Sequence, residues 1–221
     1  MTKKDAEDGQ MKILFQGDSI TDGNRYKDEA SRWDLNHQIG HSYAYMVTGR
    51  LMGEYPRRFV CVNRGVSGNN VLSLRERWQR DAADERPDVL ILLTGVNDCS
   101  AVAEGNMAAE DYGRIYRGLL RDVKNASPAV RFILLEPFLF SEDANKVRIM
   151  DGLRAEVRDI AREIGAVFVP LQEEFSRRAR EDGAAYWLWD GVHPTEAGHW
   201  VIARRVLACG AEVFGIPGEK D

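Results

Sequence analysis

The stretch Gln16-Gly17-Asp18-Ser19-Ile20-Thr21-Asp22 follows the short apolar run Ile13-Leu14-Phe15. A buried strand that breaks at once into Gly-Asp-Ser carries a hydroxyl on a tight turn at a sheet edge, where a nucleophile must stand. A serine is a weak nucleophile by itself. It needs a base within hydrogen-bond reach, a third group to orient that base, and donors for the oxyanion. The downstream sequence offers all three. His193 precedes Pro194, which biases it toward an extended backbone and turns its ring from the helix that follows. Asp190 lies three residues earlier, across a turn containing Gly191, a spacing that lets its carboxylate reach the imidazole Nδ1–H. Gly68 has no side chain to keep a substrate from its backbone N–H. Asn97 offers a side-chain amide and Ser19 its own N–H. The set fits acyl transfer through Ser19, with the oxyanion held by Ser19, Gly68 and Asn97.

These residues are far apart in the chain, so the fold must gather them. Apolar runs at Lys12 to Phe15, Phe59 to Val62, Val89 to Leu93, Val130 to Leu135 and Ala166 to Val169 read as five strands. Between them lie amphipathic helices. One is capped by Ser42 and carries Tyr45, Met46 and Leu51 on its apolar side. One runs from about Val71 to Ala82, capped by Asn69 or Asn70. One carries the stripe Tyr112, Ile115, Tyr116, Leu119, Leu120, Val123, and another the stripe Val147, Met150, Leu153, Val157, Ile160, Ile164. The last spans about Thr195 to Cys209. Strands alternating with helices predict an α/β/α sandwich with a five-stranded parallel sheet, in one domain over 11–221 behind a loose tail, 1–10. With the flavodoxin-like order 2-1-3-4-5, the first strand sits between the second and third. The turns bearing Ser19, Gly68 and Asn97 then meet at the switch-point crevice. Residues 23–41 read as a long loop beside it.

Bulk properties exclude other classes. The 221 residues carry a net charge of -5 with acids and bases interspersed, so no basic stripe points to nucleic acid. Residues 1–10 are polar, and no apolar run approaches the ~18 residues of a membrane span, so a cytoplasmic protein without a membrane partner is expected. Cys61, Cys99 and Cys209 are widely spaced without CxxC, which argues against disulfides and zinc; Cys99 follows Asn97-Asp98 and falls near the candidate site. His37 and His41 are four apart, but Ile39-Gly40 between them speaks against one helix face, and no third ligand is near. Neither a metal nor an organic cofactor is expected. His199, inside the last helix, reads as structural or surface. Asp18, Trp33 and Trp189 are candidates for substrate contact. Asp18 reads more readily as a turn or capping carboxylate, Trp187 as a core residue, and the indoles of Trp33 and Trp189 could pack in the core or stack on a sugar.

Four blocks, Gly17-Asp18-Ser19, Asn63 to Gly68, Gly95 to Asp98 and Asp190 to His193, resemble in order and spacing those of the SGNH (GDSL-type) hydrolases over nearly the whole domain. The resemblance implies Ser19 as nucleophile, Asp190 and His193 as its partners, and Gly68 and Asn97 as oxyanion donors. Within the family the blocks, with Ala197-Gly198-His199, are most similar to bacterial serine acetylxylan esterases. That similarity implies an acetylated sugar as the small-molecule ester substrate and a capacity to form homo-oligomers. Two other readings stay open: a lipase, lysophospholipase or thioesterase of the same family, and a non-catalytic carbohydrate- or partner-binding module. Fold alone does not choose among them.

Overall fold

The structure is a computed structural model describing residues 9–28 and 37–218. Most of the expected tail, and Trp33 within the long loop, lie outside the described residues. The apolar runs form β1 (Met11–Gly17), β2 (Phe59–Asn63), β3 (Val89–Leu93), β4 (Arg131–Leu135) and β5 (Val167–Val169), close to the expected boundaries. Every pairing is parallel, as the alternation predicted, and the order is β2-β1-β3-β4-β5, the flavodoxin-like order expected. All five residues of β3 are buried, as a central strand covered on both faces requires.

Helices α2 (Tyr43–Glu54) and α9 (Glu196–Phe214) pack together on one face. On the other, α5 (Ala109–Ala126) packs against both α3 (Val71–Trp78) and α6 (Ala144–Ile164). The direction of travel through the sheet reverses after β2, and right-handed crossovers therefore send the helices to opposite faces. The α5 stripe from Tyr112 to Val123 is buried as its spacing predicted.

Several local expectations need correction. In α2 the inward stripe is Tyr43, Ala44, Val47 and Leu51, and Tyr45, about 100° off it, is half exposed. Val147 and Ile164 are exposed because they sit at the two ends of α6, beyond the faces it packs on. α3 stops at Trp78 and continues as a π-helical turn, Gln79–Ala83. The turn after β3 opens directly into a helix, α4 (Val96–Ala103). α9 outlasts Cys209 because Val213 and Phe214 continue its buried face, with Phe214 edge-on to Phe59.

A substitution pair tests where the core lies. Ile91→Ala, at the centre of β3, is expected to lower unfolding stability by about 2–5 kcal/mol in urea, whereas Val147→Ala at the exposed start of α6 changes it by less than about 0.5 kcal/mol.

Candidate active site

The turn bearing Ser19 is built where β1 ends. Gly17 has φ +152, and a Cβ there would lie 2.1 Å from the Leu93 carbonyl oxygen, so only glycine lets β1 close this tightly against β3. Asp18 caps the single-turn helix α1 (Ser19–Asp22) by accepting the Ile20 N–H at 3.0 Å. Ser19 is thus the first helical residue, and its N–H has no intrahelical acceptor.

Ser19 Oγ lies 2.9 Å from His193 Nε2, and His193 Nδ1 lies 2.7 Å from Asp190 Oδ2. The carboxylate can only accept, so Nδ1 donates, Nε2 is left as acceptor, and the Ser19 hydroxyl donates to it. Asp190 Oδ1 accepts the backbone N–H groups of Val192 (2.9 Å) and His193 (2.7 Å). Burial would raise the Asp190 pKa, but these bonds and the His193 ring outweigh it and hold the carboxyl below its usual range. The turn is fastened from outside: Phe140 N–H donates to the Gly191 carbonyl at 2.8 Å, and Leu188 and Pro194 form an antiparallel bridge.

The other two expected donors face the same edge. Gly68 follows β2 in a left-handed conformation, φ +81. Its N–H has no acceptor among the described residues. Asn97 lies in the first turn of α4, and its Nδ2 donates to the Asn69 carbonyl at 3.0 Å. That bond orients the amide and leaves its second hydrogen available.

The substrate-contact candidates separate. Trp189 is 63% exposed and stacks on His193, with ring centroids 5.6 Å apart and planes 21° from parallel. Trp187 is instead a core residue with the Arg178 guanidinium over its ring. Asp18 is only 1% exposed, so its capping role stands and substrate contact does not. Burial pushes its carboxyl up to about 7, and burial likewise lifts Asp98, in the first turn of α4, to about 6. Cys99 is buried, with Sγ donating to the Lys146 carbonyl, and is withdrawn from the site. His37 and His41 meet edge to face at 5.6 Å, and among the described residues no group of three His, Cys, Asp or Glu could hold a metal. Sequence reasoning passed over Asn63. Its Nδ2 reaches the carbonyls of Thr21 and Ile39 at 2.7 and 2.8 Å, tying the end of β2 to α1 and to the long loop. The residue precedes Gly65 in the second block, but nothing in its spacing indicates those partners.

The sequence profile of the GDSL-like Lipase/Acylhydrolase family matches residues 15–201. The chain belongs to this family. It is 34% identical over 206 residues to an acetylxylan esterase of Geobacillus stearothermophilus, covering 89% of this chain and 92% of that protein. Among solved structures, the acetylxylan esterase Axe2 from the same organism superposes with a TM-score of 0.80 at 31% identity, covering 96% of this chain and 99% of that one. An alpha/beta hydrolase enzyme from the metagenome of Lake Arreo gives 0.80 at 32% identity, covering 90% and 94%. A GDSL-like acylhydrolase with such relatives is a carboxylic ester hydrolase.

His199 ties α9 to α2. Its Nδ1 accepts the Tyr43 N–H at 3.1 Å at the start of α2, and burial holds its pKa down to about 4. In the unfolded chain it takes up a proton near pH 6.5, while the folded chain refuses it until about pH 4, so its contribution to stability falls as pH drops through that window. Asp18 and Asp98, with raised pKa values, act in the opposite sense. A comparison with His199→Asn cancels them. The asparagine keeps an acceptor for Tyr43, and the wild type should lose roughly 3 kcal/mol relative to it between pH 6.5 and 4, read by urea unfolding at each pH.

Proposed function

We propose that the protein is a serine esterase that removes acetyl groups from carbohydrates of the acetylxylan or xylo-oligosaccharide type. The observation that carries the reading is the unbroken hydrogen-bonded chain Ser19–His193–Asp190, with an exposed indole stacked against its histidine. Ser19 Oγ attacks the acetyl carbonyl carbon while its proton passes to His193 Nε2. The resulting oxyanion is held by the N–H groups of Ser19 and Gly68 and by the Asn97 amide. As the ester C–O bond breaks, His193 returns the proton to the sugar oxygen. A water molecule, deprotonated by the same nitrogen, then attacks the acetyl-enzyme. Acetate leaves and Ser19 regains its proton. Asp190 stays ionised throughout and stabilises the imidazolium.

Two findings among relatives support this assignment. Solved forms of Axe2 include catalytic mutants in which an aspartate and a serine are replaced by alanine. Another Axe2 structure is described as an acetyl-xylooligosaccharide esterase. Trp189 gives the sugar specificity a physical basis here, since an exposed indole beside the base offers a flat apolar face to a pyranose ring.

Hydrolysis of p-nitrophenyl esters from acetate to octanoate, with Ser19→Ala as blank, tests the chemistry and the acyl group together. kcat/KM is expected to fall sharply beyond acetate and to vanish in the blank. A rise toward octanoate would move the assignment to a lipase or thioesterase, and wild-type activity no better than the blank would leave a binding module. Trp189→Ala tests the sugar. It should raise KM for acetylated xylo-oligosaccharides about tenfold, the size of ~1.4 kcal/mol, and leave p-nitrophenyl acetate hydrolysis within about twofold.

A further inference from the structure

Gly68 stands at the tip of a loop with nothing behind it: a Cβ added there would meet no atom within 4 Å. Glycine has the freest backbone of any residue, yet an oxyanion donor works only if it is fixed before the charge develops. Packing does not fix this tip, so its neighbours must.

Each neighbour is held by a charged side chain from a different element. On one side is Asp22, the last residue of α1, whose carboxylate is fully buried. Its Oδ2 accepts both the Ser67 N–H (3.0 Å) and the Ser67 hydroxyl (2.8 Å), together with the Lys27 ammonium (3.0 Å). Its Oδ1 accepts the Arg25 N–H at 3.1 Å. On the other side is Arg77 of α3. Its Nε donates to Asn69 Oδ1 at 2.6 Å, its Nη1 to the Arg64 carbonyl (2.8 Å) and Asp81 Oδ2 (3.1 Å), and its Nη2 to the Gly17 carbonyl (3.4 Å). The Asn69 backbone carbonyl is in turn the acceptor that orients the Asn97 amide. A path of hydrogen bonds thus runs from the end of β1, through Arg77 and Asn69, to Asn97. The planar, five-donor guanidinium is the side chain that reaches four acceptors at once.

We infer that Asp22 and Arg77 are positioning residues that preset the Gly68 N–H and the Asn97 amide from opposite sides of the loop 67–69. The inference rests on the reading of Gly68 and Asn97 as oxyanion donors. Charge-assisted bonds suit the task because they are shorter and stronger than neutral ones and hold a tip that packing leaves free.

Steady-state kinetics on p-nitrophenyl acetate test the inference, with folding checked by thermal denaturation. Arg77→Met is expected to lower kcat about 100-fold with KM within about twofold, because a misplacement of ~1 Å costs about that much. In the double variant Arg77→Met/Asn97→Ala, the loss should be little more than that of Asn97→Ala alone, since both remove the same stabilisation. Losses that multiply, or a raised KM at unchanged kcat, would overturn the role of Arg77. Asp22→Asn should behave like Arg77→Met. If it does not fold, Ser67→Ala decides, because it removes one bond to Asp22 from an exposed position. A fall in kcat of about tenfold at unchanged Tm supports the clamp, and an unchanged kcat refutes it. Failure of the underlying reading looks different: Asn97→Ala alone would then leave kcat unchanged.

Discussion

Where β1 ends, the backbone has no room. Gly17 runs into the Leu93 carbonyl so closely that no side chain fits, and it pairs with Leu93 as the last rung of the β1–β3 ladder. That contact makes β1 finish level with β3. On its other side, Phe15 and Gly17 accept the N–H groups of Arg64 and Val66, so the chain leaving β2 stays zipped to β1 beyond the sheet. The turns bearing Ser19, Gly68 and Asn97 are therefore laid side by side by backbone hydrogen bonds before any side chain acts. A parallel sheet is the arrangement that allows this, because all its C-terminal ends share one edge.

Around that edge the buried charges divide into two kinds. Asp18 caps α1 by accepting the Ile20 N–H, and Asp98 accepts the Val71 N–H at the start of α3, the helix capped by Asn70, together with the Thr94 hydroxyl. Burial dominates them and raises their pKa values. Asp22 and Asp190 each accept several donors, among them Lys27 for the first and the His193 ring for the second, and these outweigh burial and keep them ionised. The number and charge of the donors, more than depth, decide which carboxylates are held below their usual range. The two so held each fix a part of the site: Asp190 the imidazole, Asp22 the loop 67–69.

The aromatic residues show a parallel division. Tyr112 and Tyr116 are fully buried, and the Tyr112 hydroxyl is spent on the Thr94 carbonyl beneath the site. Trp187 is buried two residues before Trp189. Trp189 alone of this pair emerges, and it does so against the histidine. The exposed indole offers a flat apolar face beside His193, where the alcohol portion of the proposed acetyl ester would be oriented.

The sequence by itself determined the strands, the layer arrangement and the residues of the Ser19–His193–Asp190 chain. Apolar period, turn residues and short-range spacing are local signals, and Asp190 to His193 is a short-range contact. Local pattern also carried the α5 stripe, the Ser42 cap and the capping role of Asp18. Tertiary structure decided the rest. Trp187 and Trp189 have the same residue type two positions apart, and only the packing of α8 (Ala184–Trp187) against α7 (Gln172–Asp182) and α9 buries one and exposes the other. Arg77 reads in the sequence as one more basic residue on a surface helix. Its four acceptors come from β1, the π-helical turn after α3 and the chain beyond β2, up to 60 residues away, and it is the sheet that brings the Gly17 carbonyl within reach. Hydrogen bonds across such separations leave no periodic trace, because their partners are carbonyls and amides that every residue possesses.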